Sequence, residues 1–266
     1  MLKMKSFLLF LSAMCLFGCE AHSGDLKSME SAEKEWNKKA SQQLLAYMSL
    51  ETMFPDKNVR ALAEAAGKGK VKKVDKLVSN GVDVNSHGAK KATPLFWAMR
   101  SDSIDGFKKL LELGADSNIV FDDGGTVIHW AVQFNNSDFL KQALEHGGNP
   151  NLVAGQLGQT PLFKAVGSSG DSDIAVLRIL FEHGANPNVK ESKGNTPAMI
   201  AAGVGRFDIV YVLLDSGADY SLKNDRGYSL LDRIASKRKA FVSGSAQEKD
   251  LEKVIVWLSE RNVDIP

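Results

Sequence analysis

Residues 92–118 read "ATPLFWAMRSDSIDGFKKLLELGADSN", and the order of special residues in this stretch decides the fold. Thr93 suits a helix N-cap, where a side-chain oxygen accepts from backbone N–H groups that the first turn leaves unpaired. Pro94 follows at the position where the missing N–H was an orphan anyway and the fixed φ already fits the helix. Asp102, nine residues after the threonine, tolerates the tight turn that ends this first short helix. A second helix carrying the Leu110/Leu111 pair then stops at Gly114, the residue type favoured where a helix ends in left-handed backbone. The stretch predicts two short antiparallel helices that cannot bury their apolar faces on their own.

The same pattern returns along the chain. "GTVIHWA", "GQTPLFKA" and "GNTPAMIA" place Thr126, Thr160 and Thr196 in the register of Thr93, and Ser229 of "GYSLLDRIA" continues it, at intervals of 33, 34, 36 and 33. Gly81, Gly114, Gly147, Gly184 and Gly217 form a second register, 21 residues after the first in the regular units. Arg60 lies 21 residues before Gly81 and opens a first unit that lacks the Thr-Pro start. Thr160 to Gly184 spans 24, an insertion of three at "GSSGDSD", and Ser229 to Asn262 spans 33, an insertion of twelve. Asn262 takes the glycine's place, asparagine being the other residue that readily enters left-handed backbone. Side by side, six such helix pairs bury one continuous core.

This pattern resembles the ankyrin repeat over residues 56–266, in six units of which the outer two are degenerate. The expected fold class is all-α: an ankyrin-repeat solenoid of six helix pairs with an N-terminal helical tether. The expected organisation is a lipoprotein signal peptide over 1–18, an anchor and tether over 19–55, and the repeat domain over 56–266.

The N-terminus carries its own signal. Lys3 and Lys5 precede an apolar run that ends at Leu16-Phe17-Gly18-Cys19, too short for the roughly 20 residues of a membrane-spanning helix and of the right length for a secretory signal. Leu at −3 and Gly at −1 before Cys19 resemble a bacterial lipobox, although Phe17 departs from the small or β-branched residue usual at −2. That resemblance implies lipidation at Cys19 and a chain held on the periplasmic side of the envelope, at the outer membrane because Glu20 rather than Asp follows the cysteine. Cys15 is the only other cysteine and would be removed with the signal, so no disulfide framework is expected. Loss of Lys3 and Lys5 takes Lys+Arg from 33 to 31 against 32 acidic residues, and the net charge from +1 to −1. A balance near zero points to neither nucleic acid nor an anionic membrane surface. Met29, Glu33, Trp36, Ala40, Leu44, Tyr47 and Met48 share one helical face, predicting a tether helix over about 28–50 whose stripe caps the first unit.

No nucleophile elbow, zinc-protease motif, phosphate loop or calcium loop is present, so the chain is expected to be a binding protein rather than an enzyme, with no catalytic residue, cofactor or metal. His146 and His183 share one repeat position before the stop glycine, where an imidazole complements the helix C-terminus. His129 stands where ankyrin repeats use a histidine to bond across neighbouring turns. Trp97 and Trp130 precede the alanine of their units and read as core.

Candidate partner contacts are therefore sought in the loops between units and at the ends of the first helices. The loop tips read Gly88-Ala89-Lys90, Phe121-Asp122-Asp123, Ala154-Gly155-Gln156, Glu191-Ser192-Lys193 and Asn224-Asp225-Arg226. Phe121 stands out, because an aromatic at a protruding tip has little to bury against unless it folds back onto a neighbouring loop, and aromatics are enriched in the centres of interfaces. Phe121, Asp122 and Asp123 with Arg100, Gln133 and Phe134 at the helix ends form one candidate patch, with Ser101 and Val204 beside it; Lys237, Arg238 and Phe241 in the last insertion form a second.

The combination of lipobox, tether, "ETMFP" before the repeats, a short ankyrin domain and a basic insertion near the end is similar to ankyrin-repeat lipoproteins that accompany antibacterial phospholipase effectors of type VI secretion systems. The resemblance implies an immunity protein that binds such a lipase in the periplasm, as a monomer, and occludes its substrate entrance or its membrane-docking surface. The alternative from another class is an envelope lipoprotein that scaffolds a self protein.

Overall fold

The computed structural model describes residues 45, 48–155, 157–167, 173–238 and 245–265. The chain divides into two compact units, Met1–Leu44 and Leu45–Pro266, and the described residues belong to the second. Cys19, Phe241 and the tether positions 29–44 lie outside the described residues.

Each threonine register starts a helix. After a single turn α1 (Leu50–Met53) come six pairs: α2 (Lys57–Gly67) with α3 (Val71–Ser79), α4 (Pro94–Arg100) with α5 (Ile104–Glu112), α6 (Val127–Gln133) with α7 (Ser137–Glu145), α8 (Pro161–Gly167) with α9 (Asp173–Glu182), α10 (Pro197–Gly203) with α11 (Phe207–Asp215), and α12 (Leu230–Arg238) with α13 (Ala246–Ser259). First helices pack on first helices and second on second, giving an inner and an outer row. Among the described residues there is no strand, only a bridge between Ala154 and Gln159. This is the all-α solenoid of six helix pairs that the register predicts.

The caps work as the residue types require. Thr93, Thr126 and Thr196 Oγ1 accept from the Phe96, His129 and Met199 N–H groups at 3.2, 3.5 and 3.4 Å. Ser229 and Asp232 make the reciprocal version, Asp232 Oδ2 accepting from Ser229 N–H at 2.7 Å. Thr160 departs from the pattern, its Oγ1 being buried without a hydrogen-bond partner. At the other end of a pair, Gly114 N–H donates to Leu111 O and Ala115 N–H to Leu110 O, both at 2.9 Å, the double bond pattern that closes a helix at a left-handed residue. Asn262 takes that role in the last unit with φ +56. The long insertion there goes largely into its helices: α12 has 9 residues against 7 in α4, and α13 has 14 against 9 in α5.

Stacking holds the units by three means. Apolar side chains pack across unit boundaries, Phe107 meeting Phe139 edge-on at 4.9 Å between ring centroids. Gly106 lets α5 approach the end of α2 so closely that a Cβ there would overlap the Ala66 carbonyl oxygen, while Ser103 Oγ donates to that same oxygen at 2.7 Å. A ladder of asparagines runs along the turns after the second helices. Asn85, Asn118, Asn151 and Asn188 each donate from Nδ2 to the carbonyl of the next unit's stop glycine, Gly114, Gly147, Gly184 and Gly217. Their Oδ1 atoms accept from the N–H of Asp116, Asn149, Asn186 and Asp219 at 2.7–2.8 Å.

Residues ahead of position 56 join the core of the repeat domain. Leu45, Met48, Met53 and Phe54 are buried in its core. The helix expected to run to residue 50 does not do so, since Met48 and Ser49 are non-helical. Ser49 instead starts α1, its Oγ accepting from Thr52 N–H at 3.2 Å.

Candidate partner-binding groove

The loops between units form fingers that stand at the start of each inner helix, so fingers and inner row together line one face. Adjacent fingers are joined by backbone bonds: Asp122 N–H to Lys90 O at 3.1 Å, Ser192 N–H to Leu157 O at 3.0 Å and Asp225 N–H to Lys193 O at 3.3 Å. The first residue of three of the expected tips turns under its finger. Glu191 and Asn224 in this position are buried, Glu191 Oε1 accepting from Asn195 N–H and Nδ2 at 3.2 and 2.7 Å, and Asn224 Nδ2 donating to Asn195 Oδ1 at 2.7 Å.

Phe121 occupies this same position, which corrects its placement at the partner surface. It is 2% exposed and packs edge-on against Phe96, ring centroids 5.2 Å apart. An aromatic here replaces the polar bonds of the other fingers with burial against the preceding inner helix. Asp123 needs the same correction: Oδ1 accepts from Gly125 N–H at 2.7 Å and Oδ2 from Trp130 Nε1 at 3.1 Å, so the carboxylate braces the finger rather than facing a partner. Burial pushes this carboxyl above the usual Asp value, and the Gly125 and Trp130 donors offset that only in part. Asp122 is exposed.

The N-terminal end of the groove is covered by the chain itself. Phe54 meets Trp97 edge-on at 6.2 Å, Met53 lies against Gly88 where a Cβ would overlap its carbonyl, and Leu45 O accepts from Arg100 Nη1 at 3.1 Å. Arg100 also stacks over Trp97 at 4.3 Å. Arg100 is therefore tied to the lead-in segment and is corrected from a partner contact to a clamp on residues 45–54. Trp97 is half-buried beneath that segment, whereas Trp130 is buried in the core.

From the third unit onward the groove is open. Gln133 is exposed and Phe134 is 42% exposed, its ring 5.3 Å from that of Trp130. The neighbouring fingers add exposed Val120, Val153 and Leu157, and the later units Val204 and Tyr228. At the far end Lys237 is half-buried and Arg238 exposed on α12. Three units separate them from Phe134, about 30 Å at the spacing of packed helices, so the two expected patches are distinct ends of one face. The apolar finger residues were missed because each is an isolated aliphatic in its own loop; only stacking gathers them.

His129, His146 and His183 are structural. His146 and His183 each bring Nδ1 to the carbonyl one turn back, Gln142 O at 2.9 Å and Ile179 O at 2.8 Å, closing the helix end. His129 Nε2 donates to Gln159 O of the next finger at 3.2 Å, leaving Nδ1 to accept from Thr126 Oγ1 at 2.9 Å. Burial lowers its pKa from 6.5 to about 4. Among the described residues no three His, Cys, Asp or Glu side chains converge as metal ligands, and no helix is long and apolar enough to cross a membrane.

The repeat geometry agrees with comparison against known families. A family model described as ankyrin repeats (3 copies) matches residues 29–121 and 128–224. The chain belongs to the ankyrin-repeat family. Ankyrin-repeat relatives include the mouse B-cell lymphoma 3 protein homolog, 31% identical over 100 residues, and the ankyrin repeat, SAM and basic leucine zipper domain-containing protein 1 of Colobus guereza, 29% identical over 92 residues. These alignments cover 34% and 35% of this chain, and the chain spans only 22% and 18% of those relatives. The solved ankyrin-repeat protein EF0377 superposes with a TM-score of 0.61 at 25% identity, over 74% of this chain and 97% of that one. A chain in the structure of the predatory endopeptidase Bd0816 from Bdellovibrio bacteriovorus in complex with immunity protein Bd3460 gives a TM-score of 0.55 at 27% identity, over 73% and 97%.

Proposed function

We propose that this ankyrin-repeat protein is an immunity protein, anchored through Cys19 on the periplasmic side of the envelope, that binds and occludes an antibacterial phospholipase effector of a type VI secretion system. The observation that carries the binding reading is the open groove of units three to six. It presents Phe134 at 42%, Val153 at 56%, Val204 at 61% and Tyr228 at 54% exposure along one stack, and apolar side chains gathered on one face are of the kind that marks interaction sites. The matching structure that contains an immunity protein with an endopeptidase supports neutralisation of an enzyme by this fold, and the lipobox-like "LFGC" supports the anchor.

Occlusion needs no chemistry from the repeat protein. A preorganised surface loses little conformational entropy on binding, so contact area converts efficiently into affinity. Anchoring adds to this by raising the local concentration of inhibitor where the lipase acts.

The test is survival. Cells lacking the protein and exposed to an attacker that delivers the phospholipase should be killed, the full chain should restore survival, and Cys19→Ala should restore it less while leaving a folded protein in the soluble fraction. Equal survival with and without the chain would overturn the immunity reading. An envelope defect in unchallenged cells lacking the protein would favour the scaffolding role.

A further inference from the structure

We propose that the C-terminal half of the groove is built for an acidic partner surface, which docks carboxylates between the fingers of units five and six and the end of α12; this rests on the partner-binding reading above. The net charge of the whole chain is only +1, so any basic face must arise from placement. On the outer row Lys109 pairs with Asp75 and Glu112, Lys141 with Glu145 and Lys253 with Asp250, while Lys72, Lys76 and Lys108 have no ion pair among the described residues. In the groove the cations gather on neighbouring fingers and one helix. Lys193, Lys223 and Arg226 are exposed on the fingers, and Arg233, Lys237 and Arg238 follow along α12, with no ion pair to any of the six among the described residues.

The acids of this region are held by hydrogen bonds to other groups, with Lys223 acting on Asp232 only through space. Glu191 is buried against Asn195, and Asp232 accepts from both the N–H and the hydroxyl of Ser229 at 2.7 Å. Asp225 alone stands exposed among the cations. Beside Arg233 the floor is open. A Cβ at Gly203 would meet only Arg233 Nη1, at 3.8 Å, while Val204 and Tyr228 offer apolar contact beside it at 61% and 54% exposure.

Cations on the fingers and on α12 beside an open, partly apolar floor complement a protruding segment that carries carboxylates around an apolar residue. Such charge complementarity governs encounter rate and specificity more than bulk affinity. A bilayer fits less well, because a flat surface reaches finger tips and not Gly203 or Arg233 at the groove floor.

The probe is a short fluorescein-labelled peptide of glutamates flanking a leucine pair, titrated with the full chain by fluorescence anisotropy and compared with its lysine counterpart. We expect binding of the acidic peptide only, weakening at least about tenfold between about 50 and 300 mM salt. Lys193→Glu with Lys237→Glu should reduce binding about tenfold or more, Gly203→Trp should do so by filling the floor, and Lys72→Glu with Lys73→Glu on α3 should leave it unchanged, with melting temperatures matched to the parent. Absence of acidic-peptide binding, equal loss in the α3 variant, or binding of phosphatidylglycerol vesicles in place of the peptide would overturn the proposal. The assay contains no effector, so its failure would leave the survival test of the immunity reading standing, and the reverse also holds.

Discussion

Acidification should weaken this protein through one imidazole before its carboxylates titrate. His129 is 3% exposed and spans the boundary between units three and four, Nε2 donating to Gln159 O and Nδ1 accepting from Thr126 Oγ1. Protonation would place a charge in that buried site beside a nearby Lys164, and burial is the larger reason that the pKa falls from 6.5 to about 4. In the unfolded chain the histidine protonates near 6.5, so between pH 6.5 and 4 the unfolded state holds the extra proton. The stabilisation is then fully present above 6.5, is lost as pH falls, and is exhausted below about 4. The displacement corresponds to about 3 kcal/mol. Asp123, whose pKa burial raises, works weakly in the opposite direction above its usual 3.8. Asp208, Asp219 and Asp232, with lowered pKa values, lose their stabilisation only below that range. Urea denaturation of the full chain at steps from pH 7.5 to 4.5 should show stability falling by most of that amount, and His129→Gln should flatten the profile above pH 4.5. A flat profile in the parent, or the same slope in the variant, would refute the assignment of the proton to His129.

Phe121→Ala should cost about 3 to 5 kcal/mol in chemical denaturation, since it empties a buried aromatic site against Phe96, whereas Asp122→Ala at the exposed neighbour should stay within about 0.5 kcal/mol. Gly106→Ala should lower the melting temperature markedly, because the added methyl meets backbone at Ala66 rather than a movable side chain; an unchanged melt would contradict that close approach. Asn118→Ala removes two bonds that tie unit two to unit three and should cost about 1 to 2 kcal/mol, with faster amide exchange at Asn149 as the local readout.

The fold was legible because its signals are local and repeated. Thr93, Pro94, Asp102 and Gly114 each act on their own turn, and the register returns intact through Ser229 and Asn262. A cue to the burial of Phe121 is present in the sequence: it shares a register with Glu191 and Asn224, and that position turns under the finger in both of those units. The composition of its own loop hides this, because the cue lies in its place in the repeat. Arg100 was beyond sequence reasoning, because its partner, Leu45 O, lies 55 residues away and the contact depends on how the lead-in segment crosses the groove. The basic end was half visible. Lys237 and Arg238 stand together in the sequence, but Lys193, Lys223 and Arg226 join them only when the fingers stack.

The most direct test of the proposed inhibition is a titration of the purified full chain into the phospholipase effector delivered by a type VI system against the same strain, read as hydrolysis of phospholipid vesicles. Occlusion by the groove predicts that lipase activity falls linearly to near zero at equimolar chain, and that Gly203→Trp shifts the end point to higher ratios without altering the inhibitor's melting temperature. Undiminished lipase activity in the presence of excess folded chain would contradict the proposed function.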